Sequence, residues 1–259
     1  MSGAEADPRP AAVTVVAVPG NGGGASRFAA AGSFLPPDVR LRPVTLPGLA
    51  GVPPEPELGS LRACAGWLLA RVEAEPRPRV VLGHGVGGAI ALELAQVAAP
   101  AIDGLVLHAP VGARLRSRRF PRLMALPGAR ALGRRAFAAR GLRPLWRRLL
   151  FTRPVPPERL ERFFAEYADS PSFARLFDLV TPEWFESLRP VHVPAALLWG
   201  ERDRVLDVDQ VGDFRPLLPG CLVSLPGRWG HFPMIEDPEA YAREVAAVAR
   251  RLVADGGPR

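Results

Sequence analysis

The sequence predicts an α/β fold: a doubly wound, mostly parallel sheet carrying an inserted helical cap. Three observations lead there. Short apolar, β-branched runs recur along the chain and alternate with stretches of helical spacing. A helical block over 111–184 interrupts that alternation once. The chain has 259 residues and is 48% apolar, enough for one large core with an insertion.

The elements follow in order. Residues 13–18 (Val-Thr-Val-Val-Ala-Val) read as a buried strand, ending in the loop Pro19-Gly20-Asn21-Gly22-Gly23-Gly24. Ser26 to Ala31 can open a helix. Residues 39–46 alternate like a strand and stop at Pro47-Gly48, and a proline-rich loop runs over 47–57. Residues 58–74 place Leu61, Cys64, Ala65, Leu68, Leu69 and Val72 at helical spacing. A strand at 79–82 leads through glycines into a helix at 86–98, and 104–109 is another buried strand. Beyond the helical block come a strand at 195–199, a helix at 207–217, a strand at 221–225 and a final helix at 238–254. We therefore expect a core of residues 1–110 and 191–259 and a cap of residues 111–190 over the C-terminal edge of the sheet, where such folds bind ligands.

Composition excludes several classes. The 33 basic residues outnumber the 26 acidic ones, for a net charge of +7, and every basic residue is arginine. An arginine-biased, GC-rich coding sequence explains that charge, and no recognition motif accompanies it, so nucleic acid is not an expected partner. No apolar run approaches the roughly 20 residues that span a bilayer. The first ten residues carry Glu5 and Asp7 and lack a basic segment followed by an apolar one, so we expect no secretory signal and a cytoplasmic location. Cys64 and Cys221 form no framework or ligand cluster and read as ordinary thiols.

Three motifs carry chemistry. Gly83-His84-Gly85-Val86-Gly87-Gly88 lies on a strand-to-helix turn. Trp199-Gly200-Glu201-Arg202-Asp203-Arg204-Val205 follows a later strand, and Gly227-Arg228-Trp229-Gly230-His231-Phe232-Pro233 follows the last. In this order they resemble the α/β-hydrolase family: a Gly-His-Ser-x-Gly-Gly nucleophile elbow, a Trp-Gly-x-x-Asp segment that supplies the triad acid, and a Gly-His-Phe segment that supplies the triad histidine. The resemblance covers nearly the whole chain. It implies that Asp203 orients His231, that His231 exchanges protons, and that the amides of Val86 and Asn21 form an oxyanion hole. It departs from the family at two positions. Pro19 replaces the usual histidine of the loop after the first strand, and Gly85 stands where the family has its serine.

Glycine adopts the strained elbow conformation without a Cβ penalty, so the fold survives the change. A covalent acyl-enzyme does not, because it forms on the missing hydroxyl. Triads stripped of their nucleophile keep about 10³–10⁴-fold acceleration over water. Three readings follow. The chain is an enzyme without a covalent intermediate, with His231 as general base for ester or thioester hydrolysis or for lyase-type proton transfer. Alternatively it is a degenerate homologue that binds a ligand or partner, or a serine hydrolase disabled by substitution at Gly85. Retention of Asp203 and His231 favours the enzyme and the disabled serine hydrolase over the degenerate homologue, and we prefer the first reading.

His84, His108 and Trp229 are candidate pocket residues. From Arg114 to Arg153 there are 13 arginines, and no acidic residue lies between Asp103 and Glu158. Arg134 and Arg135 are candidates to hold an anionic acyl or carbonyl substrate. A basic face touching anionic lipid, or a solvated face, are the other readings; we do not expect membrane contact. No metal or organic cofactor is implied, since there is no ligand cluster and no dinucleotide fingerprint with its distal acid.

Overall fold

A computed structural model of the chain describes residues 13–117, 126 and 128–255, without the side chains of residues 130, 131, 134 and 138. Six parallel strands form one sheet: β1 Val13–Val18, β2 Val39–Pro43, β3 Arg79–His84, β4 Gly104–His108, β5 Ala195–Leu198 and β6 Leu222–Ser224, in the order β2-β1-β3-β4-β5-β6. β1, β3, β4 and β5 are buried almost throughout, as expected of strands covered on both faces. The edges β2 and β6 are partly exposed and more polar.

The two faces of β1 separate the core. Val15 and Ala17 join one cluster with the last helix, α8 (Pro238–Asp255), through Tyr241, Val245 and Leu252. Val16 and Val18 join the other with α1 (Leu61–Glu73) and α2 (Val86–Ala98). Helix α1 starts where Ser60 Oγ accepts the Ala63 N–H at 3.1 Å. The helix expected over 207–217 is present as three consecutive helical segments, Val208–Gln210 and Arg215–Leu217 of the tighter 3-10 kind flanking an α-helical turn, Val211–Phe214. Pro216, which has no N–H to donate, accounts for the end of the α-helical turn.

Between β4 and β5 lie helices α3 (Ala129–Ala138), α4 (Arg143–Leu150), α5 (Pro157–Ala168), α6 (Phe173–Leu179) and α7 (Pro182–Ser187). They close over the C-terminal ends of the strands. Arg27, after β1, donates from Nε to Glu166 of α5 at 2.9 Å, inside a cage formed by Phe163, Tyr167 and Phe232. Burial disfavours the guanidinium charge, but Tyr167 and Glu166 more than offset it and hold the Arg27 pKa above its ordinary value. Glu166 also accepts from Ser26 Oγ and the Gly24 N–H. A second clasp joins the loop after α4 to the segment after His231. Glu236 accepts from Thr152 Oγ1 at 2.7 Å and from the Thr152 and Arg153 N–H groups at 3.0 and 2.8 Å.

Candidate functional site

The chain leaves β1 toward β2 on one side and reaches β3 on the other. The loops after β1 and β3 therefore meet at the switch point of the sheet. Gly85 occupies the turn between β3 and α2 with φ 56° and ψ −119°, a conformation that L side chains rarely adopt. Its N–H bonds the His108 carbonyl at 3.1 Å and its carbonyl accepts from Val111 at 3.0 Å, which pins the turn to the end of β4. A Cβ at Gly85 would meet only Gly20 Cα, at 3.5 Å, an ordinary contact. Gly83 and Gly87 are different. A Cβ on Gly83 would lie 2.3 Å from the Gly87 carbonyl oxygen, and one on Gly87 2.4 Å from that of Val18. Those two glycines let strand, turn and helix approach one another.

Val86 opens α2, so no helical carbonyl lies behind its N–H. Asn21 sits in the loop after β1 and donates from Nδ2 to the Phe173 carbonyl at 2.8 Å, which ties the loop to α6. Both line a cavity of about 490 Å³ under the helical insertion, together with Gly20, His84, Gly85 and His231. The rest of its wall is chiefly apolar and includes Val111, Phe137, Leu150, Phe173, Leu176 and Phe232.

Asp203 and His231 come from the loops after β5 and β6 and meet at 2.7 Å, Oδ2 to Nδ1. Both side chains are buried. The other carboxylate oxygen, Oδ1, accepts the N–H groups of Val205 and Leu206 at 2.8 Å each. With Nδ1–H given to the carboxylate, Nε2 of His231 is left as a proton acceptor. Such an imidazole can draw a proton from a hydroxyl or a water in the cavity.

His84 and His108 extend this histidine inward. The His84 ring centroid lies 4.6 Å from that of His231 and 4.7 Å from that of His108. His84 Nε2 lies 3.0 Å from the His231 carbonyl oxygen; only the nitrogen can donate, so Nε2 carries the proton. Burial is the main cause that holds His84 well below the usual imidazole range and pushes His108 down to about 3. Both rings are neutral at physiological pH. His108 does not line the cavity; it packs behind His84 with Nδ1 3.3 Å from the Tyr241 hydroxyl.

The remaining candidates lie elsewhere. Trp229 is buried against Tyr241, 5.6 Å between ring centroids, and forms no part of the cavity wall. Arg135 is exposed and also lies off the cavity. The Arg134 side chain lies outside the described residues. Among the described residues, the insertion arginine that does reach the cavity is Arg116, and Glu183 and Glu186 pair with it at 2.6 and 3.3 Å. Arg27 and Glu166 were not found by sequence reasoning, and at 139 positions apart no local pattern announces their pairing. Among the described residues there is no group of His, Cys, Asp and Glu that could hold a metal ion.

Solved structures with similar backbones include an esterase from Exiguobacterium antarcticum, with a TM-score of 0.77 and 15% identity over 93% of this chain and 92% of that one. Another is a membrane phospholipase A described as a bacterial virulence factor, with a TM-score of 0.72 and 24% identity over 92% of this chain and 79% of the other. A third is the type II thioesterase of the yersiniabactin NRPS/PKS biosynthetic pathway, with a TM-score of 0.65 and 21% identity over 94% and 95%. No curated protein matches the sequence. Residues 15–244 match the model of the Alpha/beta hydrolase family, a span that takes in β1 from Val15 on, the other five strands, the turn at Gly85 and the Asp203–His231 pair. The chain belongs to the alpha/beta hydrolase family.

Proposed function

We propose that this protein hydrolyses an ester or thioester by general-base catalysis, with no acyl-enzyme. Gly85 stands at the nucleophile position of the family and leaves it to water. His231, oriented by Asp203, takes a proton from that water at Nε2 as the oxygen attacks the carbonyl carbon. The oxyanion forms against the N–H groups of Val86 and Asn21. Collapse then expels the alcohol or thiol, which recovers the proton from the imidazolium. The helical insertion acts as the cap that shelters the acyl group, and the apolar wall of the cavity suits an acyl chain.

The observation that carries this proposal is the Asp203–His231 hydrogen bond of 2.7 Å at the edge of the cavity that Gly85 lines. A binding protein has no need for an imidazole held in one tautomer by a buried carboxylate. The esterase, phospholipase and thioesterase with similar backbones support a substrate of the ester or thioester class.

The test compares the parent chain with Gly85→Ser and His231→Ala on ester and thioester panels of varied acyl length. The expected result is slow turnover by the parent that is lost with His231→Ala, and a gain of about 10³-fold or more with Gly85→Ser. If the parent is silent while the serine variant turns over rapidly, the chain is a disabled serine hydrolase. If neither variant turns over any substrate, the protein serves by binding alone.

A further inference from the structure

A second hollow lies beside the cavity, and its wall is basic. Arg143, Arg147 and Arg148 share one side of α4, and Arg140, in the turn before it, continues their row. Arg153 from the loop after α4 and Arg204 from the loop after β5 complete a groove of about 830 Å³. The groove shares no lining residue with the cavity at Gly85. The two stand back to back. Leu150 and Val205 line the cavity, while their sequence neighbours Phe151 and Arg204 line the groove.

The charge of this wall is poorly compensated. Among the described residues the lining holds one carboxylate, Glu161, which pairs with Arg143 at 2.5 Å. Asp237 pairs with Arg153 from outside the lining. Arg140, Arg147, Arg148 and Arg204 are exposed, and none has a carboxylate partner among the described residues. Arg143 and Arg147 are four residues apart on one helix, a spacing at which like charges repel. Arginine-biased coding explains arginine in place of lysine, but not the lack of any acid between Asp103 and Glu158. Parts of the wall are already held in place. Arg204 donates from Nη1 to the Arg148 carbonyl at 3.0 Å, and Arg143 lies over the Phe164 ring at 5.4 Å.

We propose that this groove binds a soluble ligand that carries two or more phosphate groups, as in the diphosphate of a nucleotide. A guanidinium fork takes two phosphate oxygens at once, and each terminal phosphate brings three acceptor oxygens and up to about two negative charges. Four uncompensated guanidiniums therefore match a diphosphate with few groups and little bulk. Arg140 and Arg147 are seven residues apart, roughly 10 Å along a helix at about 1.5 Å per residue. A single phosphate meets only part of that row, and a chain of phosphates follows it. A ligand held there ties α4 to Arg204, the neighbour of Asp203. The site does not depend on the hydrolytic reading, and its test uses no activity.

The test is calorimetric titration of the full chain with inorganic diphosphate, beside sulfate and citrate at the same ionic strength. Diphosphate is expected to bind saturably, one per chain, and about 10-fold or more tighter than either comparison ion. Arg147→Gln with Arg148→Gln, and separately Arg204→Gln, should each weaken it about 10-fold. Arg135→Gln, exposed but off the groove, should leave it unchanged. The variants should melt no lower than the parent without anion, because each relieves like-charge repulsion. No saturable binding at millimolar diphosphate overturns the proposal. So does equal affinity for citrate, or equal weakening by Arg135→Gln, which would mark a diffuse response to net charge. Binding to anionic vesicles or duplex DNA that diphosphate cannot displace would assign the face to a macromolecule and overturn it as well.

Discussion

Asp203 divides its carboxylate between backbone and imidazole: Oδ1 accepts the Val205 and Leu206 N–H groups at 2.8 Å, and Oδ2 faces His231 Nδ1 at 2.7 Å. The two backbone bonds fix the oxygen that the imidazole reads. Asp203→Asn keeps an acceptor for the amides but loses the charge and the preference for one tautomer. In the Gly85→Ser background, where turnover is easiest to measure, it should reduce kcat about 10³–10⁴-fold. Stability in urea should fall by only about 1 kcal/mol.

The glycines of the turn should respond to different degrees. Gly85→Ala meets no obstruction closer than 3.5 Å and bears only the positive φ, a cost of about 1–2 kcal/mol. Gly83→Ala and Gly87→Ala drive a Cβ into backbone oxygens at 2.3 and 2.4 Å, which cannot swing aside as a side chain can. Each should cost about 3 kcal/mol or more and push α2 away from β3 or β1. Urea midpoints of the three variants give the comparison directly.

Folding should weaken in mild acid. His84 and His108 are held neutral in the folded chain, with pKa values below the 6.5 or so of an exposed imidazole. Once the pH drops below about 6.5, the unfolded chain takes up protons that the folded chain refuses, so stability is complete above that pH and declines beneath it. For His108 the loss continues toward about 3. Each histidine contributes a slope of up to about 1.4 kcal/mol per pH unit. Urea titrations between pH 7.5 and 5.5 test this, and His108→Gln should make the slope shallower by that amount.

Much of this architecture was legible because parallel strands and elbow turns leave local marks. The buried runs at 13–18 and 104–109 are nearly continuous in apolar residues, and Gly83, Gly85, Gly87 and Gly88 announce a turn where backbones touch. The pairing of Asp203 with His231 was expected from two short motifs, since each lies just beyond a strand end. Other features depend on contacts between distant segments. The helix expected over 207–217 is helical over 208–217, yet Pro216, with no N–H to donate, keeps its α-helical part to one turn. Trp229 and His108 look like pocket residues by position, but both pack inward on Tyr241, which the sequence places 12 residues after the first and 133 after the second.

The Arg27–Glu166 pair should act as the main polar clasp between the helical insertion and the loop after β1. Glu166 receives Arg27 Nε, Ser26 Oγ and the Gly24 N–H, so its charge is well satisfied, and three aromatic rings surround the guanidinium. Glu166→Gln leaves Arg27 as a buried cation with no counter-ion and should cost about 3–5 kcal/mol. Arg27→Met with Glu166→Met removes both charges and keeps bulk in the cage. It should be less destabilised than the single variant, because no charge is left stranded. A double variant that is as unstable as the sum of the two single changes would show that the pair is not energetically coupled. Because Tyr167 and Phe232 also line the cavity, loss of the clasp should raise KM for the longest acyl substrates before it changes kcat.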